Sequence, residues 1–204
     1  MAERKSARPD AIVLAAGAGI RFGGGKLLAA WKGRPLIALA LDAAFAAPVR
    51  SVTVAVRALD DSVAEIARRH AEASGRSGDL RLAVVAEAAE GQAASLRAAI
   101  AALPAESAAA LVLLGDMPRI PEGVGEALVA AWRRGALACA PSFEGRRGHP
   151  VLFDQALFAG LLALSGDVGA RRLLDALGQR LVLVPVADDG VLFDVDRVED
   201  LNPR

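Results

Sequence analysis

Cysteine, histidine and lysine are all scarce in this sequence, and it carries no net charge. Cys139 is its one cysteine, which excludes an internal disulfide framework and fits a reducing compartment. The formal net charge of zero gives no basis for a nucleic-acid-binding surface, and 54% hydrophobic residues exclude a disordered chain. No apolar run approaches the roughly 20 residues that cross a bilayer. The opening MAERKSARPD is polar, without the apolar core of a secretion signal behind it. These absences predict a cytoplasmic protein whose partners include neither membrane nor nucleic acid. The two histidines, His70 and His149, form no evident Ser/His/Asp or Cys/His arrangement. Of 24 basic residues only Lys5, Lys26 and Lys32 are lysines. In a chain so biased towards Arg, a Lys is kept by chance or where a compact point charge serves better than a planar fork.

What is present is a regular alternation of short apolar runs and longer helical patterns. Strands are expected at 11–15, 51–56, 81–85, 110–114, 136–140, 149–153, 181–186 and 191–195. Helices are expected near 35–46, 61–73, 92–103, 122–134, 154–163 and 168–177, with Pro35, Pro121 and Asp154 at starts and Pro48 and Gly75 at stops. Alternation of this kind implies an α/β fold: a doubly wound, mostly parallel sheet with helices on both faces. The 204 residues suit one domain, 1–204, with 1–9 as a loose extension, and no stretch resembles a linker. In such sheets ligands bind beyond the carboxyl ends of the strands.

The first strand leaves through LAAGAGIRFGGGK, residues 14–26, with five glycines among residues 17–25. Ordering that much glycine is entropically costly unless something binds there, and backbone N–H groups reach an anion closely only where no side chain intervenes. A dinucleotide fingerprint fails, because Phe22 stands where its last glycine belongs and Val56-Arg57 where its ribose-binding acid belongs. A Walker-type loop fails at Ile20 and Leu27. What remains is a long glycine loop carrying Arg21 and Lys26, which can converge on one triphosphate.

LAAGAGIRFGGGK resembles the signature LAAGxGxRxGxxK of nucleotidyltransferases that activate small phosphorylated molecules. Gly91-Gln92-Ala93-Ala94-Ser95-Leu96-Arg97, Gly115-Asp116-Met117-Pro118 and Gly148-His149-Pro150-Val151 follow in order. Gly166-Asp167-Val168-Gly169-Ala170-Arg171 and Asp194-Val195-Asp196-Arg197-Val198-Glu199-Asp200-Leu201 complete the series. Together they resemble the MobA-like family, most closely its molybdenum cofactor cytidylyltransferases, over about residues 11–201. Phe22, Ala93, Ala99 and Val198 depart from the family's usual residues, and none of them removes a charge.

The resemblance implies a Rossmann-like nucleotidyltransferase fold and a Mg²⁺-dependent reaction. A terminal phosphate on a molybdopterin-type cofactor attacks the α-phosphorus of CTP, and pyrophosphate leaves. Arg21 and Lys26 would neutralise the β- and γ-phosphates, and Gly17 and Gly19 would let amides reach them. The turn Leu14-Ala15-Ala16-Gly17 would border the base and favours cytosine. Gln92 or Ser95, at a helix start, would contact the base or ribose. Asp116, at a strand's carboxyl end between Gly115 and Pro118, suits Mg²⁺ against phosphate oxygens; a helix cap for the segment from Pro121 is too distant. Asp194 and Asp196 alternate and so share a face, where two carboxylates repel unless a cation is near; the other reading is a pair of solvated edge carboxylates. His149, Asp167 and Arg171 are the candidates for the pterin acceptor, although His149 also reads as structural and Asp167 as a helix cap. Arg97 reads equally as a surface residue. A related enzyme using GTP or another small phosphorylated acceptor, and a carrier delivering the cofactor to a molybdoenzyme, remain alternatives.

Overall fold

The computed structural model describes residues 6–88, 91–166 and 169–201. In chain order the strands are β1 (Asp10–Leu14), β2 (Ala30–Trp31), β3 (Arg34–Pro35), β4 (Val52–Val56), β5 (Leu80–Val84), β6 (Ala109–Leu114), β7 (Ala138–Phe143), β8 (Arg146–Arg147), β9 (Val151–Asp154) and β10 (Leu181–Pro185). The α-helices are α1 (Leu36–Ala46), α2 (Ser62–Ala73), α3 (Gln92–Ala101), α4 (Val124–Arg133), α5 (Phe158–Leu162) and α6 (Arg171–Leu177).

The main sheet runs β10-β7-β9-β6-β1-β4-β5, with β8 paired to β7. Its β10-β7, β6-β1, β1-β4 and β4-β5 pairs are parallel, while β9 is antiparallel to both β6 and β7. The expected mostly parallel sheet is therefore present, with one reversed strand inside it. Side-chain alternation builds the two layers. Ala11 and Val13 of β1 pack with α1, α2 and α4, while Ile12 packs with α3, α5 and α6. Trp132 of α4 is fully buried, and its indole N–H donates to Asp154 Oδ2 at 2.8 Å, so no polar atom of the ring is stranded. No helix among the described residues is long and apolar enough to cross a membrane.

Two local results refine the expectations. Residues 191–195 are not a strand: Asp189–Leu192 form a 3-10 turn, with the Asp188 side chain accepting from the Gly190 N–H at 2.7 Å. The segment instead crosses the carboxyl ends of the strands. There Val191 O accepts from the His149 N–H at 2.9 Å, and the Val195 N–H donates to Asp116 O at 3.0 Å. Within 1–9, Ala7 O accepts two hydrogen bonds from the Arg133 guanidinium, and Pro9 O accepts from the Arg50 N–H. The short β2–β3 hairpin turns on Lys32 (φ 49°) and Gly33 (φ 81°), both in the left-handed region that a two-residue turn of this hand requires.

Candidate active site

Strand order reverses between β1 and β6, because β4 and β5 extend the sheet on one side of β1 and β6 lies on the other. A crevice opens there at the carboxyl ends. Leu14 and Leu114, the last residues of these strands, both line it. Gly115 is forced by this meeting, since a Cβ on it would lie 3.1 Å from Leu14 O, which accepts the Gly115 N–H at 3.0 Å. The chain then delivers Asp116 into the crevice.

The glycine loop folds back on itself. Gly19 O accepts from the N–H groups of Phe22 (3.0 Å) and Gly24 (3.1 Å). Gly23, Gly24 and Gly25 all have positive φ, of 91°, 95° and 63°, which explains three glycines in succession. That reversal drops Lys26 into the site. Its Nζ donates to Asp116 Oδ2 at 2.6 Å and lies 3.4 Å from Asp196 Oδ1, while Arg21 donates to Asp196 Oδ2 at 3.1 Å. Lys26 is 13% exposed in its side chain and Arg21 is 77% exposed, so the two cations differ sharply in enclosure. Burial works against the ammonium, but the hydrogen bond and attraction of Asp116, joined by Asp196, outweigh it and hold Lys26 above its ordinary pKa. Between β1 and the first turn of the loop, the N–H groups of Gly17, Ala18 and Gly19 donate to no other described residue.

Asp116, Asp194 and Asp196 converge, each offering a carboxylate oxygen within 4.8 Å of the others. Val195 is fully buried between the two C-terminal acids, so the alternation expected of a strand survives in a segment that belongs to no ladder. The Asp200 carboxylate ties this segment down by accepting from the N–H groups of Asp196 (2.9 Å) and Arg197 (2.7 Å). Although Asp194 is exposed, the protein packed around it, followed by the charges of Asp116 and Asp196, raises its carboxyl above the usual range. Asp116 Oδ1 is buried without a hydrogen-bond partner among the described residues. Three converging carboxylates, one of them with an oxygen left without a hydrogen bond, fit a hard divalent cation.

A cavity of about 490 Å³ joins Gly17, Gly19, Arg21, Lys26, Gln92, Ser95, Asp116 and Asp196. A second cavity of about 790 Å³ shares Leu14, Gln92 and Leu114 with it and adds Arg147, His149, Arg171 and an apolar floor that includes Leu96, Val112 and Phe153. The sequence-predicted residues thus fall into two adjoining groups. Ala15 and Ala16 line neither cavity, because their side chains are buried under the sheet's two layers. Asp194 lines neither wall but reaches the acid cluster. Asp167 lies outside the described residues. His149 is held neutral: burial first, then Arg147, pushes its pKa down to about 4 against the opposing pull of Asp116, and its buried Nδ1 has no partner. Arg97 donates to Leu164 O at 2.7 Å and lines neither cavity.

Sequence reasoning missed Arg57 and Arg147. Arg57, at the end of β4, donates from Nε to Ala16 O at 3.0 Å and braces the root of the glycine loop. Arg147 pairs with Asp175 at 2.9 Å on the wall of the larger cavity, and only its basic dipeptide signalled it.

A protein-family comparison matches residues 11–181 to the MobA-like NTP transferase domain. The chain belongs to that family. It is similar to the purine catabolism protein PucB of Bacillus subtilis (strain 168), with 32% identity over 93% of this chain and 92% of the relative. Among solved structures it is similar to the Mycobacterium sp. strain JC1 homologue of Rv0371c, with a TM-score of 0.80, 27% identity, and coverage of 95% and 92% of the two chains. Rv0371c of Mycobacterium tuberculosis H37Rv gives a TM-score of 0.74 at 22% identity over 95% and 96%. A manganese complex of Rv0371c matches with a TM-score of 0.68 at 20% identity over 88% of each chain. This MobA-like transferase has the α/β nucleotidyltransferase fold of its relatives, and its glycine loop, acid cluster and adjoining cavity occupy one crevice.

Proposed function

We propose that the protein transfers CMP from CTP to the terminal phosphate of a molybdopterin-type molybdenum cofactor, with release of pyrophosphate. The observation that carries this reading is the pair of cavities sharing Leu14, Gln92 and Leu114, one walled by the glycine loop and carboxylates, the other apolar with arginines at its rim. A triphosphate suits the first; a flat heterocycle bearing a phosphate suits the second.

In the reaction an acceptor phosphate oxygen forms a new bond to the α-phosphorus, and the bond from that phosphorus to the α–β bridging oxygen breaks. A phosphate monoester with a second pKa of about 6 is already ionised near neutrality, so no general base is needed. His149, neutral and without a partner at Nδ1, is suited to hold the acceptor by hydrogen bonding rather than to act as an acid. The N–H groups of Gly17, Ala18 and Gly19, which donate to no other described residue, are suited to donate to phosphate oxygens, and Arg21 and Lys26 to offset the charge that builds on the leaving pyrophosphate. Arg171 and Arg147 line the cavity assigned to the acceptor and are suited to its phosphate. Asp116, Asp194 and Asp196 would hold Mg²⁺. The ion supplies charge neutralisation and alignment of the reacting phosphates.

The preference for cytosine rests on Leu14 and Gly17, the members of the Leu14–Gly17 turn that line the smaller cavity, in a turn where relatives using GTP tend to carry another small-residue pattern. The test is an assay of nucleotide incorporation and pyrophosphate release with each NTP against molybdopterin-type cofactor. Turnover confined to CTP is expected. Equal or greater turnover with GTP refutes the cytidylyl assignment, and nucleotide binding without pyrophosphate release leaves a carrier.

A further inference from the structure

The Lys26 ammonium lies against two of the three carboxylates that would hold a metal ion. Its Nζ is 2.6 Å from Asp116 Oδ2 and 3.4 Å from Asp196 Oδ1, with Arg21 3.1 Å from the other oxygen of Asp196. Two side-chain cations thus pair with two of three carboxylates that converge within 4.8 Å. A divalent cation bonds the same oxygens at about 2.1 Å for Mg²⁺, and an ammonium within hydrogen-bonding distance of them repels it.

Resting on the nucleotidyltransferase reading above, we infer that Lys26 competes with the divalent cation for the Asp116 and Asp196 carboxylates, so that the ion is taken up together with the triphosphate and not before it. Lys26 also borders the 490 Å³ cavity in which the triphosphate is placed. Its four-carbon stem spans a change of partner from carboxylate to phosphate without moving the backbone. Departure of the ammonium restores the cluster's charge, and the incoming ion replaces it. Metal and triphosphate each remove the obstacle to the other. By linkage, the factor by which nucleotide tightens metal binding equals the factor by which metal tightens nucleotide binding.

The experiment uses Mn²⁺ as the probe, with free ion followed by electron paramagnetic resonance during titration of the full chain alone, with CTP and with GTP. Binding to protein and nucleotide together is expected to be tighter, by about tenfold or more, than to either alone. Lys26→Met, which keeps the stem and removes the charge, should tighten Mn²⁺ binding without nucleotide by about tenfold, and Asp116→Asn should abolish that gain. Wild-type protein binding Mn²⁺ as tightly alone as with a bound nucleotide overturns the inference while sparing the reading of the site. Unaltered Mn²⁺ affinity in a folded Lys26→Met protein does the same. Failure of both CTP and GTP to bind under any condition overturns the site reading and the inference with it. Should Lys26→Met not fold, the wild-type comparison with and without nucleotide decides.

Discussion

Replacing Asp116 by Asn tests the centre of the mechanism, because Asn keeps the shape and one acceptor but not the charge. In the structure Asp116 Oδ2 accepts from Lys26 at 2.6 Å, its Oδ1 is buried and unpartnered, and its backbone O holds Val195. Only the first of these depends on charge in the ligand-free state. Hydrogen bonds to charged groups contribute about 1.5–3 kcal/mol, and the amide oxygen retains a neutral share of one, so about 1–2 kcal/mol of stability should be lost. For a chain of this size that lowers Tm by about 2–8 °C. Activity should fall much further. In the proposed mechanism one of three carboxylates that would hold the metal is lost and Lys26 is loosened, which should lower kcat by on the order of 10² or more. The assay is pyrophosphate release across a Mg²⁺ titration, with circular dichroism and thermal melting on the same samples. Partial recovery at high Mg²⁺ is expected if Asp194 and Asp196 still anchor the ion. A folded Asp116→Asn protein with near-wild-type turnover at ordinary Mg²⁺ would refute the reasoning, since Asp116 would then serve only to brace its loop.

Lys26→Ala should lower the rate of the chemical step by on the order of 10², whereas Lys32→Ala should leave it nearly unchanged, because Lys32 sits in the β2–β3 turn; single-turnover rates for the two variants check this. Arg57→Ala should raise KM for the nucleotide more than it lowers kcat, with partial rescue by Arg57→Lys, because the Nε bond to Ala16 O orients the loop and touches no reacting atom; steady-state kinetics at saturating acceptor are the measure. Asp10→Asn should cost about 3 kcal/mol, at the low end for breaking a buried pair because Arg50 keeps water and Glu106, and denaturant melts would show it. Burial opposes the charge of Asp10, but hydrogen bonds from Arg50, Ser107 and Ser51 outweigh it and hold its pKa below the ordinary 3.8. Its contribution is therefore present above about pH 3.8 and lost as pH falls through the lower folded-state value, so the gap between wild type and Asp10→Asn should close in that acidic window.

Much of this molecule is determined locally. Periods of two and of 3.6 are written into the sequence by which side chains are apolar, so β1, β4, β6 and the helices between them can be read without tertiary knowledge. The glycine loop is equally legible, because three successive positive φ angles admit little but glycine. The alternation that pairs Asp194 with Asp196 also survives, since burying Val195 forces its neighbours outward in any extended backbone.

Tertiary structure decided the rest. Whether 191–195 joins a ladder depends on what it meets in the fold, and it bonds to the His149 N–H and Asp116 O at the carboxyl ends of the strands. The reversal of β9 within a parallel sheet depends on its partners β6 and β7, which no local pattern encodes. The partners of the cations were hidden for the same reason. Lys26 and Asp116 stand 90 residues apart, and Lys26 and Asp196 170 apart, so only the folded crevice brings their charges within hydrogen-bonding reach. A sequence records which charges a chain keeps. Which of them meet is decided by the three-dimensional path, because Coulomb attraction acts over ångströms and takes no account of separation along the chain.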